Sequence, residues 1–222
     1  MYQEHIVNIH LSVAIQLKKL ILAYLISNYR KMLNIILFGP PGAGKGTQSL
    51  KIAEKFGLIH ISTGDLLRAE VAAGTELGKA AKSLMDKGIL VSDDIVIGML
   101  DSKISGNSSA KGFIFDGFPR TLPQAKALDE LLLKYKQSIN ITLALEVDEE
   151  ELYNRISLRG KSSGRADDQD KNTFLKRMQV YNTETAPLKN YYKSKGVLVP
   201  INGIGEIDDI FNSLCSEIIK RA

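Results

Sequence analysis

Apolar residues follow two rhythms along this chain. Short, almost unbroken apolar runs recur at LNIILF (33–38), LIHI (58–61), GFIFD (112–116), NITLALEV (140–147) and GVLVPI (196–201). Runs of that length, bounded by turn residues, predict strands buried on both faces. Between them the apolar positions recur every three or four residues, as helices with one buried face require. Strand alternating with helix predicts an α/β fold, a five-stranded parallel sheet flanked by helices.

The helix ends are legible too. Ser62 followed by Asp65 reads as a capping box, and Gly74 closes that helix; Thr75 opens the next and Gly88 ends it. Asp148 and Glu151 mark another start, with Gly160 as its stop. In TQSLKIAEKF, Leu50, Ala53 and Phe56 are expected on one face, with Gly57 beyond the end. The last helix should bury Ile207, Ile210, Phe211, Leu214 and Ile218. No internal repeat or low-complexity tract interrupts the pattern.

One junction breaks the rhythm. ILFGPPGAGKGTQ (36–48) leaves a core strand and places four glycines between Gly39 and Gly46. Glycine is the residue whose ordering costs the most backbone entropy, so the loop must gain something from bare main chain. Gly39, Gly44 and Lys45 fit a phosphate loop. Its backbone N–H groups converge on phosphate oxygens, and the following helix adds its dipole. One position departs from the general pattern: Gly46 follows Lys45 where many such loops carry the Ser or Thr that binds magnesium, and Thr47 comes one step later.

Composition narrows the classes. A chain of 222 residues with 44% hydrophobic and 24% charged residues suits one main globular domain with attachments. Its single cysteine, Cys215, excludes an internal disulfide and a multi-cysteine zinc site. The net charge of +4 gathers at the start of the chain, where Lys18, Lys19, Arg30 and Lys31 outnumber Glu4. With the rest near neutrality and no basic run interleaved with aromatics, nucleic acid is not an expected partner. Within 1–31 the uncharged run Leu20 to Tyr29 is ten residues, too short for the roughly 17–25 that span a bilayer. No small-x-small cleavage site follows it. An over-called start ahead of Met32 or a dispensable extension is the preferred reading of 1–31; a docking or targeting helix is the alternative.

The phosphate loop, written GPPGAGKGTQ, resembles that of the nucleoside monophosphate kinases, and of the adenylate kinases in particular. HISTGDLLR (60–68), GILVSDDIV (88–96), FDGFPRTLPQA (115–125), SGRADD (163–168) and TAPLKNYY (185–192) resemble further segments of that family, in order. The resemblance covers essentially Met32 to the C-terminus. It implies a P-loop NTPase-type kinase domain over 32–222, with an AMP-binding flap at about 62–91 and a short lid at 159–167. The implied reaction is magnesium-dependent phosphoryl transfer from ATP to AMP.

The same resemblance distributes roles. Gly42, Ala43, Gly44, Lys45, Gly46 and Thr47 would hold the ATP phosphates, with Lys45 bridging the group in transit. Arg159 would clamp ATP and Arg155 lie against its adenine, beside Gly203 and Gly205. Arg68 and Arg120 would hold the AMP phosphate, and Arg165 and Arg177 would reach the shared phosphates. Thr63, the Ile89–Leu90–Val91 backbone, Gly117, Phe118, Pro119 and Gln124 would complete the AMP pocket. Asp65 and Asp116 would hold Mg²⁺ through water. The spacing from Arg165 to Arg177 is one residue longer than usual in the family.

The chemistry agrees with that set. Phosphoryl transfer to a phosphate needs no catalytic base, only alignment and cancellation of negative charge, which arginines, a lysine and magnesium supply. Thr63 and Thr121 stand where uridylate and cytidylate kinases tend to carry Ala and Asn, which favours AMP. The lid segment GKSSG leaves no room for an inserted zinc domain, so a short-lid form without structural zinc is expected. ATP and AMP are the expected partners, without nucleic acid or membrane, for a cytoplasmic monomer. A different monophosphate kinase, or a nucleotide-binding switch without transfer, are the rival classes. An acceptor panel separates the first, and a second phosphate site would be idle in the other.

Overall fold

The computed structural model describes Lys18, Lys19, 32–163 and 165–221. The chain divides into two compact units, Met1–Met32 and Leu33–Ala222. Apart from Lys18, Lys19 and Met32, the first unit lies outside the described residues, and with it the expectation of a dispensable extension.

Five parallel strands form the sheet of the second unit: β1 (Ile35–Phe38), β2 (Ile59–Ser62), β3 (Phe113–Asp116), β4 (Ile141–Glu146) and β5 (Leu198–Asn202). Their order is β2-β3-β1-β4-β5. Each of the five expected apolar runs supplies one strand, whose ends fall within two residues of those of the run. The central strand β1 pairs Ile36 with Phe115 of β3 and with Thr142 of β4. Its four residues are buried, as expected where helices cover both faces. At the N-terminal edge of the sheet the buried Asn34 donates to Gln137 and Ser138, and its side-chain oxygen accepts from the Phe113 amide. Its polar atoms are therefore compensated.

The helices are α1 (Lys45–Phe56), α2 (Thr63–Ala72), α3 (Glu76–Met85), α4 (Asp93–Ser105), α5 (Leu122–Lys134), α6 (Glu149–Ser163), α7 (Lys171–Val180), α8 (Leu188–Ser194) and α9 (Ile207–Ile219). A π-helical turn, Tyr181–Thr185, joins α7 towards α8. Several caps match the sequence reading. Ser62 accepts from the Asp65 amide at the start of α2, and Thr75 from the Gly78 amide at the start of α3. Gly57 ends α1 in the left-handed conformation.

Three expectations need correction. Gly160 does not stop α6, which runs on to Ser163. A Cβ at that position would sit 2.6 Å from the Asp168 carbonyl oxygen, so this glycine permits a close crossing within the helix. Leu50 is 59% exposed, because α1 turns Gln48, Ser49, Ile52 and Ala53 inward; Leu50 stands to one side and lines the cleft described below. Ile207, the first residue of α9, is exposed, and Cys215 joins Ile210, Leu214 and Ile218 on the buried face.

The core on one side of the sheet gathers Ile35, Leu37, Ile52, Ile114, Leu143, Leu152, Phe174 and Leu214. Each such side chain contributes roughly 1.5–3 kcal/mol by leaving water. This packing fixes the C-terminal ends of β1 and β3 side by side; the phosphate loop leaves the first, and Asp116 is the last residue of the second.

Candidate active site

The loop Gly39–Gly44 passes from β1 into α1, whose first residue is Lys45. Gly42 has φ 87°, and a Cβ there would lie 2.7 Å from the Leu152 carbonyl oxygen, so only glycine fits against α6. The Lys45 ammonium folds back over the loop, donating to the carbonyls of Gly39 (2.7 Å) and Pro40 (2.9 Å). Burial pushes its pKa down to about 8; Asp116 opposes that shift, and Arg120, Arg177 and Arg159 add to it. A lysine so placed gains strongly from a nearby polyanion.

Asp116 ends β3, largely buried, and faces the loop. Its Oδ2 would lie 3.7 Å from a Cβ built on Gly46, so the carboxylate stands beside the position where other phosphate loops carry a hydroxyl. Ser49 Oγ lies 3.3 Å from that oxygen and 3.0 Å from His60 Nε2. Neither Ser49 nor His60 stood out in the sequence, since their partners lie on different elements.

Pro41 to Thr47, Asp65, Arg68, Asp116, Gly117, Arg120, Arg159, Arg165 and Arg177 line a single open cleft of about 990 Å³. Lys45, Arg68 and Arg120, expected to serve two phosphates, thus share one hollow. A second hollow of about 640 Å³ adjoins it beside α2 and α3, lined by Thr63, Arg68, Ile89, Leu90, Val91, Gly117, Phe118, Arg120 and Gln124 among others. Pro119, grouped with these by resemblance, lies instead on a third cavity of about 570 Å³, which it lines with Leu90, Gly117, Phe118, Lys45 and Tyr181 among others.

Shared carboxylates bridge the arginines. Arg159 grips Asp168 through two hydrogen bonds of 2.7 and 2.8 Å, and Arg177 donates to the same carboxylate at 2.8 Å. Arg177 also pairs with Asp167 at 2.9 Å. Burial alone would raise the Asp168 pKa, but Arg159 and Arg177 outweigh it and hold the carboxyl below its usual range. Arg177 lies in α7, whose first turn Asp170 caps, and it reaches the cleft. Asp65 pairs with Arg68, and its Oδ1 is 3.5 Å from Arg165.

Arg120 is lodged on the loop after β3, which includes the cis Phe118–Pro119 bond. Burial lowers its pKa, and the neighbouring Arg177 lowers it further. Arg155 departs from the cluster. It pairs with Glu151 and donates to the Gly203 carbonyl at 3.0 Å, beside the loop holding Gly205 but outside the phosphate cleft. Asp167 and Asp168, which pair with these arginines, are carboxylates that sequence reasoning passed over. The adjacent pair after Arg165, in a segment otherwise rich in arginine partners, was the available signal.

A glycine loop between a central parallel strand and a helix, sharing one cleft with a set of guanidinium groups, marks a P-loop phosphotransferase. The adenylate kinase family model matches residues 37–197. The adenylate kinase of Bacteroides fragilis is 53% identical over 187 residues, covering 84% of this chain and 98% of its own. That of Flavobacterium psychrophilum is 53% identical over 190 residues, covering 86% and 100%. That of Stenotrophomonas maltophilia is 51% identical over 178 residues, covering 80% and 95%. The chain belongs to the adenylate kinase family.

Proposed function

We propose that the residues of this cleft carry out the family reaction, reversible phosphoryl transfer from ATP to AMP to give two ADP, with Lys45 and the arginines as its machinery. The observation that carries the assignment is the shared hollow, with the phosphate loop and Lys45 on one side and Arg68 and Arg120 on another.

Backbone amides from Gly42 to Thr47 hold the β- and γ-phosphates of ATP, with the dipole of α1 behind them. Lys45 leaves the Gly39 and Pro40 carbonyls to follow the γ-phosphoryl group. Arg159 clamps ATP, and Arg155 with Gly205 borders its adenine. Arg68 and Arg120 seat the AMP phosphate, with Arg165 and Arg177 at the junction. Thr63, Ile89, Leu90, Val91, Gly117, Phe118 and Gln124 bound the AMP base and ribose, and Pro119 lines the third cavity. The acceptor oxygen is already anionic, so these residues align and neutralise rather than abstract a proton.

Mg²⁺ is required with ATP in this family. A hard cation that retains waters suits the carboxylate of Asp116 beside Gly46, with Asp65 across the cleft. When bound it neutralises charge on the β- and γ-phosphates. Asp65, engaged by Arg68 and Arg165, would have to release them to contribute.

Residues 62–91 act as the AMP flap and 159–167 as a short lid, excluding water so that ATP is not hydrolysed. Among the described residues no helix is long and apolar enough to cross a membrane. A cytoplasmic monomer is the form we propose. In a coupled assay of ADP formation, Lys45→Met should lose transfer activity by more than 100-fold, about 3 kcal/mol, while keeping its fold. AMP should outperform CMP and UMP as acceptor. Near-normal turnover in that variant would remove Lys45 from the mechanism, and a preference for CMP or UMP would replace the acceptor.

A further inference from the structure

Arg120 is held by its main chain as well as its side chain. Its N–H donates to Gln124 Oε1 at 2.7 Å, and its guanidinium Nε donates to the Gly117 carbonyl at 2.7 Å. Its carbonyl accepts from Thr185 Oγ1 at 2.8 Å. The first two partners are sequence neighbours. The third arrives from 65 residues away.

Thr185 reaches that carbonyl from an unusual turn. Beyond α7 the chain widens into the π-helical Tyr181–Thr185, closed by a hydrogen bond from the Ala186 amide to the Tyr181 carbonyl at 2.7 Å. One extra residue in a turn rotates every later position by about 100° relative to a continuing α-helix. Thr185 is buried, so water does not readily replace its hydroxyl at the Arg120 carbonyl.

We infer that Thr185 is a positioning residue for the acceptor site, anchoring the main chain of Arg120 through the π-turn; this rests on the proposed role of Arg120. Arg120 and Arg177 line the same cleft as like charges, and the carboxylates of Asp167 and Asp168 that pair with Arg177 offset only part of that repulsion. The burial and the Arg177 charge that depress the Arg120 pKa report the same conflict. Gln124 secures one side of the Arg120 peptide, and is itself fixed by Asp93 at 2.6 Å. Thr185 secures the other side, and joins it to the segment that continues from Arg177. The π-turn therefore sets the separation of two guanidiniums before substrate arrives, which lowers the cost of ordering them on binding.

Steady-state kinetics with both substrates varied, alongside melting temperatures, test this in four variants of the full chain. Thr185→Val keeps the shape and removes the hydroxyl, and Thr185→Ala removes it without filling the space. Both should raise the KM for AMP roughly fivefold to tenfold while the KM for ATP stays within about twofold, as expected when one buried hydrogen bond serves one site. Thr185→Ser, which restores the hydroxyl, should restore the AMP KM. Equal changes in both KM values, a fall in melting temperature with AMP KM unmoved, or a serine variant as impaired as valine would overturn the inference. If valine and alanine variants fail to fold, Thr185→Cys, which replaces the hydroxyl by a weak S–H donor, should raise the AMP KM while serine does not. An AMP KM unmoved in the cysteine variant would then overturn the inference. Arg120→Met is the control: if it leaves the AMP KM unchanged, the site assignment fails rather than the role of Thr185.

Discussion

Asp168 serves two guanidiniums with a carboxylate fully withdrawn from solvent. Removing its charge leaves Arg159 and Arg177 without that shared partner. Arg159 is partly exposed, so water recovers some of the loss, and Asp168→Asn should cost about 2 kcal/mol, below the full value for a deeply buried pair. The pH dependence has a definite sign. Asp168 is held below the usual carboxylate range, so its stabilisation is present above about pH 4 and disappears as pH falls through the lower folded value. Urea unfolding should give a constant gap between the two proteins from pH 7 to about pH 5, closing only in stronger acid. A gap that closes near neutrality would assign the effect to another group. The arginines of this network were legible as members of motifs. Asp168 was not singled out, because nothing in local spacing reveals that one carboxylate is shared by Arg159, nine residues before it, and Arg177, nine after.

At the scale of elements, strand positions and most caps could be read directly, since both follow from short-range chemistry. Helix α6 could not. A glycine after a periodic run usually ends a helix, but at Gly160 the decisive fact is a main-chain crossing by the segment around Asp168. Replacing this residue pits two effects against each other. A better helix former than glycine gains up to about 1 kcal/mol, whereas forcing atoms into a filled space costs about 1–3 kcal/mol. With a β-branched side chain the first term shrinks and the second grows. Gly160→Val should therefore destabilise by about 2 kcal/mol in chemical denaturation. A neutral or stabilising result would show that the crossing gives way easily. Leu50 teaches a related lesson. Its spacing from Ala53 and Phe56 places it near the buried stripe of α1, but the width of the phosphate cleft leaves it as a wall residue. The π-turn at Tyr181–Thr185 has no signature in hydrophobic period at all, and its contact with the Arg120 carbonyl, 65 residues away, is visible only in the fold.

Across the whole molecule, the sheet order brings the ends of β1 and β3 together, and the cleft opens at those ends. That is where parallel α/β folds characteristically bind ligands. Lys45 and the arginines at 68, 120, 159, 165 and 177 then converge on a space bordered by few carboxylates. That excess of positive charge favours polyphosphate, and it suits the proposed transfer between two nucleotides without a general base. This arrangement could be anticipated from motif order. Its balance could not: which carboxylate pairs with which arginine depends on loop packing from four separate segments.

The most direct measurement is a crystal structure with AMP and an unreactive ATP analogue bound together. The account predicts the γ-phosphorus about 3–3.5 Å from an AMP phosphate oxygen, with Lys45 on the first and Arg120 on the second. AMP seated with its phosphate remote from Lys45, or Arg120 turned away from both nucleotides, would contradict it.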